Sequence, residues 1–146
     1  MKLNKDFKEF IELLNNHKVE YLLVGGYALG IHGYPRYTGD MDIWVKPTPE
    51  NAARVLGVLD EFGFGELDLG EADFVKPGNV IQLGYPPLRI DLLTQPDGVD
   101  FSDSYTNRMD LEYESLIIHV ISLEDFKANK AASARPKDLE DLRNMK

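Results

Sequence analysis

Cysteine is absent from the 146 residues, which excludes disulfides, thiolate metal centres and a cysteine nucleophile. No apolar run approaches the roughly 20 residues that a membrane-spanning helix needs, and residues 1–7, Met-Lys-Leu-Asn-Lys-Asp-Phe, hold no leader-type apolar stretch. A cytoplasmic protein with no membrane contact is the expectation. Positive charge is scarce as well: 16 Lys and Arg stand against 25 Asp and Glu, a net charge of −9, which argues against a surface that coats nucleic acid. The bases are unevenly spread. Residues 127–146 carry Lys127, Lys130, Arg135, Lys137, Arg143 and Lys146 against Asp138, Glu140 and Asp141, whereas residues 60–73 carry six acids and no base. This length predicts one domain, 1–146, with little room for a separate substrate-recognition domain. A large substrate would need a partner to help hold it.

Hydrophobic spacing locates the elements. Phe7, Phe10, Ile11 and Leu14 recur at helical intervals after Asn4, predicting a capped amphipathic helix over 4–17. Residues 20–24 read as a strand, Gly25–Gly33 as a short glycine-broken helix, and Pro35 with Thr38-Gly39 as a loop leading to a strand at Asp40–Val45. Thr48-Pro49 opens a helix running to about Phe62, with Ala53, Val55, Leu56 and Leu59 inward. Residues 64–78 form an irregular connection with a short strand at Phe74-Val75, followed by neighbouring strands at 79–84 and 88–94. A short helix over 101–109, a final strand at 116–121, a helix capped by Ser122 and a last helix after Pro136 with Leu139, Leu142 and Met145 inward complete the chain. The C-terminal helical segment thus covers about 122–146. The expected class is α/β (α+β), a mixed sheet flanked by helices.

Chemistry concentrates between Val24 and Val45. A strand that breaks at Gly25-Gly26 into a helix brings backbone N–H groups within reach of a phosphate, because glycine has no Cβ and helix N-termini attract anions. Asp40 and Asp42 lie two apart on a strand and so share one face. Further on, Arg89, Asp91 and Leu93 share a strand face, with Asp91 the only acid of that run. Acids are depleted in strands and are rarely buried without a compensating charge. Two readings follow: the aspartates ligate a hard divalent cation, or they are caps and ion-pair partners for Arg36 or Arg89. Converging carboxylates would repel, so neutralising one, as in Asp91→Asn, should leave the melting temperature of the metal-free protein the same or raise it.

The combination of strand, Gly25-Gly26, short helix, Asp40-x-Asp42 and a third carboxylate at Asp91 resembles the nucleotidyltransferase superfamily that includes DNA polymerase beta, over residues 20 to 95. Within it, the chain looks most like small bacterial proteins related to AbiEii-type toxins, whose lysine-bearing helix and Arg-x-Lys-Asp-x-x-Asp-Leu pattern are echoed by Lys130 and Arg135–Leu142. The resemblance implies Mg2+, or Mn2+, held by Asp40, Asp42 and Asp91, with Asp91 also as general base. It further implies a nucleoside triphosphate bound by Gly25, Gly26, Lys130 and Arg135. Gly26 stands where many members of the superfamily carry serine. The implied reaction moves a nucleoside monophosphate to a hydroxyl of a small molecule, an RNA end or a protein. An alternative is a catalytically weak nucleotide-binding module, half of a toxin–antitoxin pair acting through an antitoxin or other helical partner. A metal-dependent glycosyltransferase, suggested by Asp-x-Asp alone, usually needs a longer chain. Asp138 and Asp141 read as partners of Lys137 or Arg135, His32 as a packed or hydrogen-bonded histidine, and Tyr37 and Trp44 as core residues or stacking surfaces for a base.

Overall fold

Asn4 accepts the Asp6 amide and starts helix α1 (Lys5–Asn16), whose Phe7, Phe10, Ile11 and Leu14 are all buried as their spacing predicts. Full burial of each such side chain stabilises by up to roughly 1.5–3 kcal/mol. The structure, a computed structural model, describes residues 3–34, 39–85 and 89–145. Expectations placed on Pro35, Arg36, Tyr37, Thr38 and Leu88 fall outside those residues.

Six strands make one mixed sheet: β1 (Tyr21–Val24), β2 (Asp40–Val45), β3 (Val80–Leu83), β4 (Arg89–Leu93), β5 (Met109–Tyr113) and β6 (Leu116–Val120), in the order β3-β4-β2-β1-β6-β5. β1 is antiparallel to β2 and parallel to β6, and β2 is parallel to β4. All four residues of β1 are buried, so this central strand is covered on both faces. Helices α2 (Gly25–Ile31), α3 (Pro49–Leu59), α4 (Phe101–Thr106), α5 (Leu123–Ser133) and α6 (Pro136–Asn144) complete the chain. α1 packs on α3, and α5 packs on α2 and α6. Among the described residues no helix is long and apolar enough to cross a membrane.

Trp44 and Asn51 find polar partners inside this core. Trp44 is fully buried and donates its indole N–H to the Thr94 carbonyl at 3.2 Å, while its ring meets Phe101 edge to face. It is core, and its face is not free to stack on a base. Asn51, where a capping box would place Glu, instead ties α3 to the start of β1: its amide donates to the carbonyls of Glu20 and Lys46, both at 3.0 Å, and its Oδ1 accepts the Glu20 N–H.

Four local expectations are corrected. Phe74-Val75 is not a strand: Glu71–Phe74 is a 3₁₀ turn, because the Asp73 carboxylate caps the Gly70 N–H at 2.8 Å and Phe74 alone anchors the segment in the core. The inward face of α3 is Asn51, Ala52, Val55, Val58 and Leu59, so Ala53 is exposed and Leu56 only half-buried. Part of the span expected to be helical, from Met109, is the edge strand β5, paired with β6 through a turn in which Glu114 and Ser115 both take positive φ, 47° and 69°. That turn usually announces itself with Asn or Gly. In α6, Leu139 is exposed while Asp138 and Asp141 are buried, for reasons that lie in the site itself.

Candidate active site

The site forms where β1 ends and β2 and β4 begin. Parallel pairing of β2 with β4 sets Asp42 opposite Asp91 and Asp40 opposite Arg89, and on its other edge Asp42 faces Val24 of β1. A one-residue slip of either strand would send its acid to the opposite face, so the register of the apolar residues Met41, Ile43, Ile90 and Leu92 is what brings the carboxylates together. Gly25 follows at once. Its φ is +68°, and a Cβ there would run into Oδ2 of Asp42. Glycine is therefore required twice, for the backbone conformation and for the close approach. Gly26 is buried in the first turn of α2, a helix whose N-cap Val24 offers no side-chain hydrogen bond.

Charges around these aspartates are unevenly balanced. Arg89 Nε donates to Asp91 Oδ1 at 3.0 Å and its Nη2 donates to Asp91 Oδ2 at 2.9 Å, a two-pronged pair; the same Nη2 lies 2.9 Å from Asp40 Oδ2. Asp42 feels Arg89 only through space. Burial, then the neighbouring Asp91 and Asp40 charges, push its carboxyl up from 3.8 to about 6, against weaker attraction from Lys130 and Arg89.

Lys130 and Arg135 are close enough to Asp42 to attract it through space, but both are engaged by acids of α6. Lys130 is buried, its Nζ 3.0 Å from Asp138 Oδ1 and 3.6 Å from Asp141 Oδ2, and 5.2 Å from the centre of the Phe126 ring. Arg135 Nε donates to Asp138 Oδ2 at 2.8 Å, and the guanidinium is near enough to Asp97 and Asp42 to be held charged by them too. Burial of Asp138 favours its neutral form, but the hydrogen bonds from Arg135 and Lys130 outweigh that and hold its carboxyl below the usual range. These contacts explain the orientation of α6. Asp138, Asp141, Leu142 and Met145 form an inward stripe at helical spacing, half of it acidic because the facing helix presents Lys130. The acids pair with Lys130 and Arg135, and Lys137 is exposed. His32 hydrogen-bonds the Ile121 carbonyl at 2.7 Å.

The donor chemistry suits a hard divalent cation, since Asp40, Asp42 and Asp91 lie on one face of the adjacent strands β2 and β4 and Asp42 is short of positive charge. As the side chains stand, however, no three His, Asp or Glu groups among the described residues are arranged about one point. The reason is visible in the contacts, because Asp40 and Asp91 are both turned to Arg89. Sequence reading named Arg89 only as an ion-pair partner. The signal for its central place was Arg-x-Asp on one strand, which puts both side chains on the face that meets Asp40.

A mixed sheet with a Gly-Gly strand-to-helix turn and an Asp-x-Asp strand beside it is the architecture of the nucleotidyltransferases. Solved structures bear out the fold. A Thermotoga maritima protein assigned to the nucleotidyltransferases matches with a TM-score of 0.65 and 18% identity over 95% of this chain and 89% of its own. The antibiotic-resistance factor ANT(2'')-Ia matches at 0.59 and 11% identity over 95% and 80%. The lincosamide antibiotic adenylyltransferase LnuA, solved with lincomycin bound, matches at 0.57 and 14% over 98% and 96%. The chain belongs to the family described as nucleotidyltransferase of unknown function (DUF6036), whose model matches residues 1–146. No curated protein matches the sequence. The narrower likeness to AbiEii-related toxins rests on Lys130 and residues 135–142 alone.

Proposed function

We propose that this nucleotidyltransferase is metal-dependent and moves a nucleoside monophosphate from a triphosphate to a hydroxyl group, acting as a single domain with a C-terminal helical segment. The observation that carries the reading is Asp42, set in register with Asp91, beside Asp40, and in contact with the Gly25 backbone. A divalent metal held by Asp40, Asp42 and Asp91, Mg2+ or Mn2+, would supply Lewis acidity to the attacking hydroxyl and the leaving pyrophosphate. The remaining work falls to the chain. Gly25 and Gly26 present backbone N–H groups to the triphosphate, and Lys130 and Arg135 add positive charge from the other side. Asp91 takes the proton of the acceptor hydroxyl as its oxygen attacks the α-phosphorus, the bond to pyrophosphate breaks, and pyrophosphate leaves. Of the acceptors, a small-molecule hydroxyl suits a chain with net charge −9 better than a polyanion such as RNA.

A second reading, a weakly active nucleotide-binding partner in a toxin–antitoxin pair, draws on Arg89, which engages two of the three carboxylates. One experiment separates the two. The protein is incubated with each α-labelled nucleoside triphosphate, Mg2+ or Mn2+ and cell extract, and labelled species are resolved. The enzyme reading expects a labelled product that disappears with Asp42→Asn. Nucleotide binding without any labelled product, for every triphosphate and both metals, would favour the binding module.

A further inference from the structure

We infer that Arg89 is a built-in counter-ion of the carboxylate site, which a divalent cation must displace from Asp40 and Asp91 and whose freed guanidinium then takes a phosphate of the incoming nucleotide. The inference rests on the nucleotidyltransferase reading and adds to it the order in which charges exchange.

One nitrogen makes the argument. Nη2 of Arg89 lies 2.9 Å from Asp40 Oδ2 and 2.9 Å from Asp91 Oδ2, so it sits between the two carboxylates that a bridging cation would join. Nε at 3.0 Å from the other Asp91 oxygen completes a fork that occupies both oxygens of that residue. A metal ligand oxygen lies about 2.0–2.1 Å from Mg2+, and a dication that close to a guanidinium is repelled by it. Both cations cannot hold the same oxygen pair. The arginine therefore sets a threshold against the bare metal.

Three features make displacement feasible. Arg89 is the first residue of β4, its side chain is 27% exposed, and it pairs in register with Asp40 at the start of β2. Guanidinium forks match phosphate as well as carboxylate. When a triphosphate arrives with its metal, the dication takes the carboxylates and the phosphates offer the guanidinium a replacement partner. Metal and nucleotide should then enter together rather than in sequence.

The test is binding, with Mn2+ alone and Mn2+ with inorganic tripolyphosphate as probes, followed by calorimetry and by the electron spin resonance of free Mn2+. Variants are Arg89→Gln, which removes the charge, and Arg89→Lys, which keeps a charge but not the fork. Expected is at least a tenfold tighter dissociation constant for Mn2+ alone in Arg89→Gln, a smaller gain in Arg89→Lys, and a weaker enhancement of Mn2+ binding by tripolyphosphate in both. The inference is overturned if Arg89→Gln binds Mn2+ no tighter than wild type, with Arg89→Lys showing that the fold is retained. If wild type still binds Mn2+ with tripolyphosphate and Asp42→Asn does not, the nucleotidyltransferase reading survives that failure. If none of the proteins binds Mn2+ with tripolyphosphate, both fall.

Discussion

Replacing Asp42 with Asn should stabilise the metal-free protein at neutral and higher pH, and the gain should vanish in acid. The Asp42 carboxyl is pushed up from 3.8 to about 6, chiefly by burial and then by Asp91 and Asp40. The native state therefore keeps this proton to higher pH than the unfolded chain does. Stability linked to the group is fully present below about pH 4 and is lost as pH rises through about 6. The difference between 3.8 and about 6, at about 1.36 kcal/mol per pH unit, sets a cost of roughly 3 kcal/mol above pH 7. Asn keeps the shape and removes the charge, so that cost is an upper limit for the gain; the through-space attraction of Lys130 and Arg89 is forfeited along with it. At roughly 2–5 °C per kcal/mol, the melting temperature of Asp42→Asn should exceed wild type by several degrees and at most about 15 °C at pH 8. About half of the gap should remain at pH 5 and little near pH 4. Thermal unfolding followed by circular dichroism, with both proteins in chelator at each pH, measures it. A variant that melts at or below wild type at pH 8, or a gap that does not change with pH, would refute the account of Asp42 as a carboxylate ionised at a cost.

Asp91→Asn should have the opposite sign. It gives up a two-pronged pair with Arg89, so it should lose about 1–3 kcal/mol and melt lower in the absence of metal; equal or greater stability would mean that repulsion outweighs the pair. Gly25→Ala should cost about 1–2 kcal/mol for the left-handed backbone alone and more for the collision with Asp42, and labelled transfer should be lost with it. Lys130→Ala removes the ammonium that the buried Asp138 and Asp141 share, leaving Asp138 with Arg135, and should destabilise by about 3–5 kcal/mol, as well as weakening triphosphate binding. Adding Asp138→Asn should recover part of that stability in denaturant titrations, and no recovery would break the pairing argument.

How far the sequence could be read depended on whether a pattern was carried by apolar residues or by charges. Phe7, Phe10, Ile11 and Leu14 showed α1, and the strands around Asp40–Val45 and Arg89–Leu93 showed the carboxylate face, because period and burial agree there. The helix α6 was placed correctly and Leu142 and Met145 lie inward as expected, but Leu139 does not. Leucine spacing pointed to Leu139, whereas the stripe is built on Asp138 and Asp141 because their counter-charge, Lys130, belongs to another helix. β5 was missed for a different reason. An edge strand with polar Asp110 and Glu112 has a weak pattern, and the Glu114-Ser115 turn lacks the usual residues. The expected repulsion among Asp40, Asp42 and Asp91 left out a counter-charge, since Arg89 pairs with Asp40 and Asp91 while Asp42 has only through-space attraction, and that pairing depends on strand register rather than on residue type.

The acidic inner face of α6 has a dynamic consequence. A helix docked through two buried carboxylates and one ammonium, beside the apolar Leu142 and Met145, is held by paired charges that are lost together once the first pair parts. In native-state hydrogen exchange its amides should be released in a partial opening of the molecule, well before those of the sheet. In that opened form Lys130 would shed both counter-ions in one step beside Asp42. The terminal nine-residue helix would then set the free charge of the site by how often it unlatches.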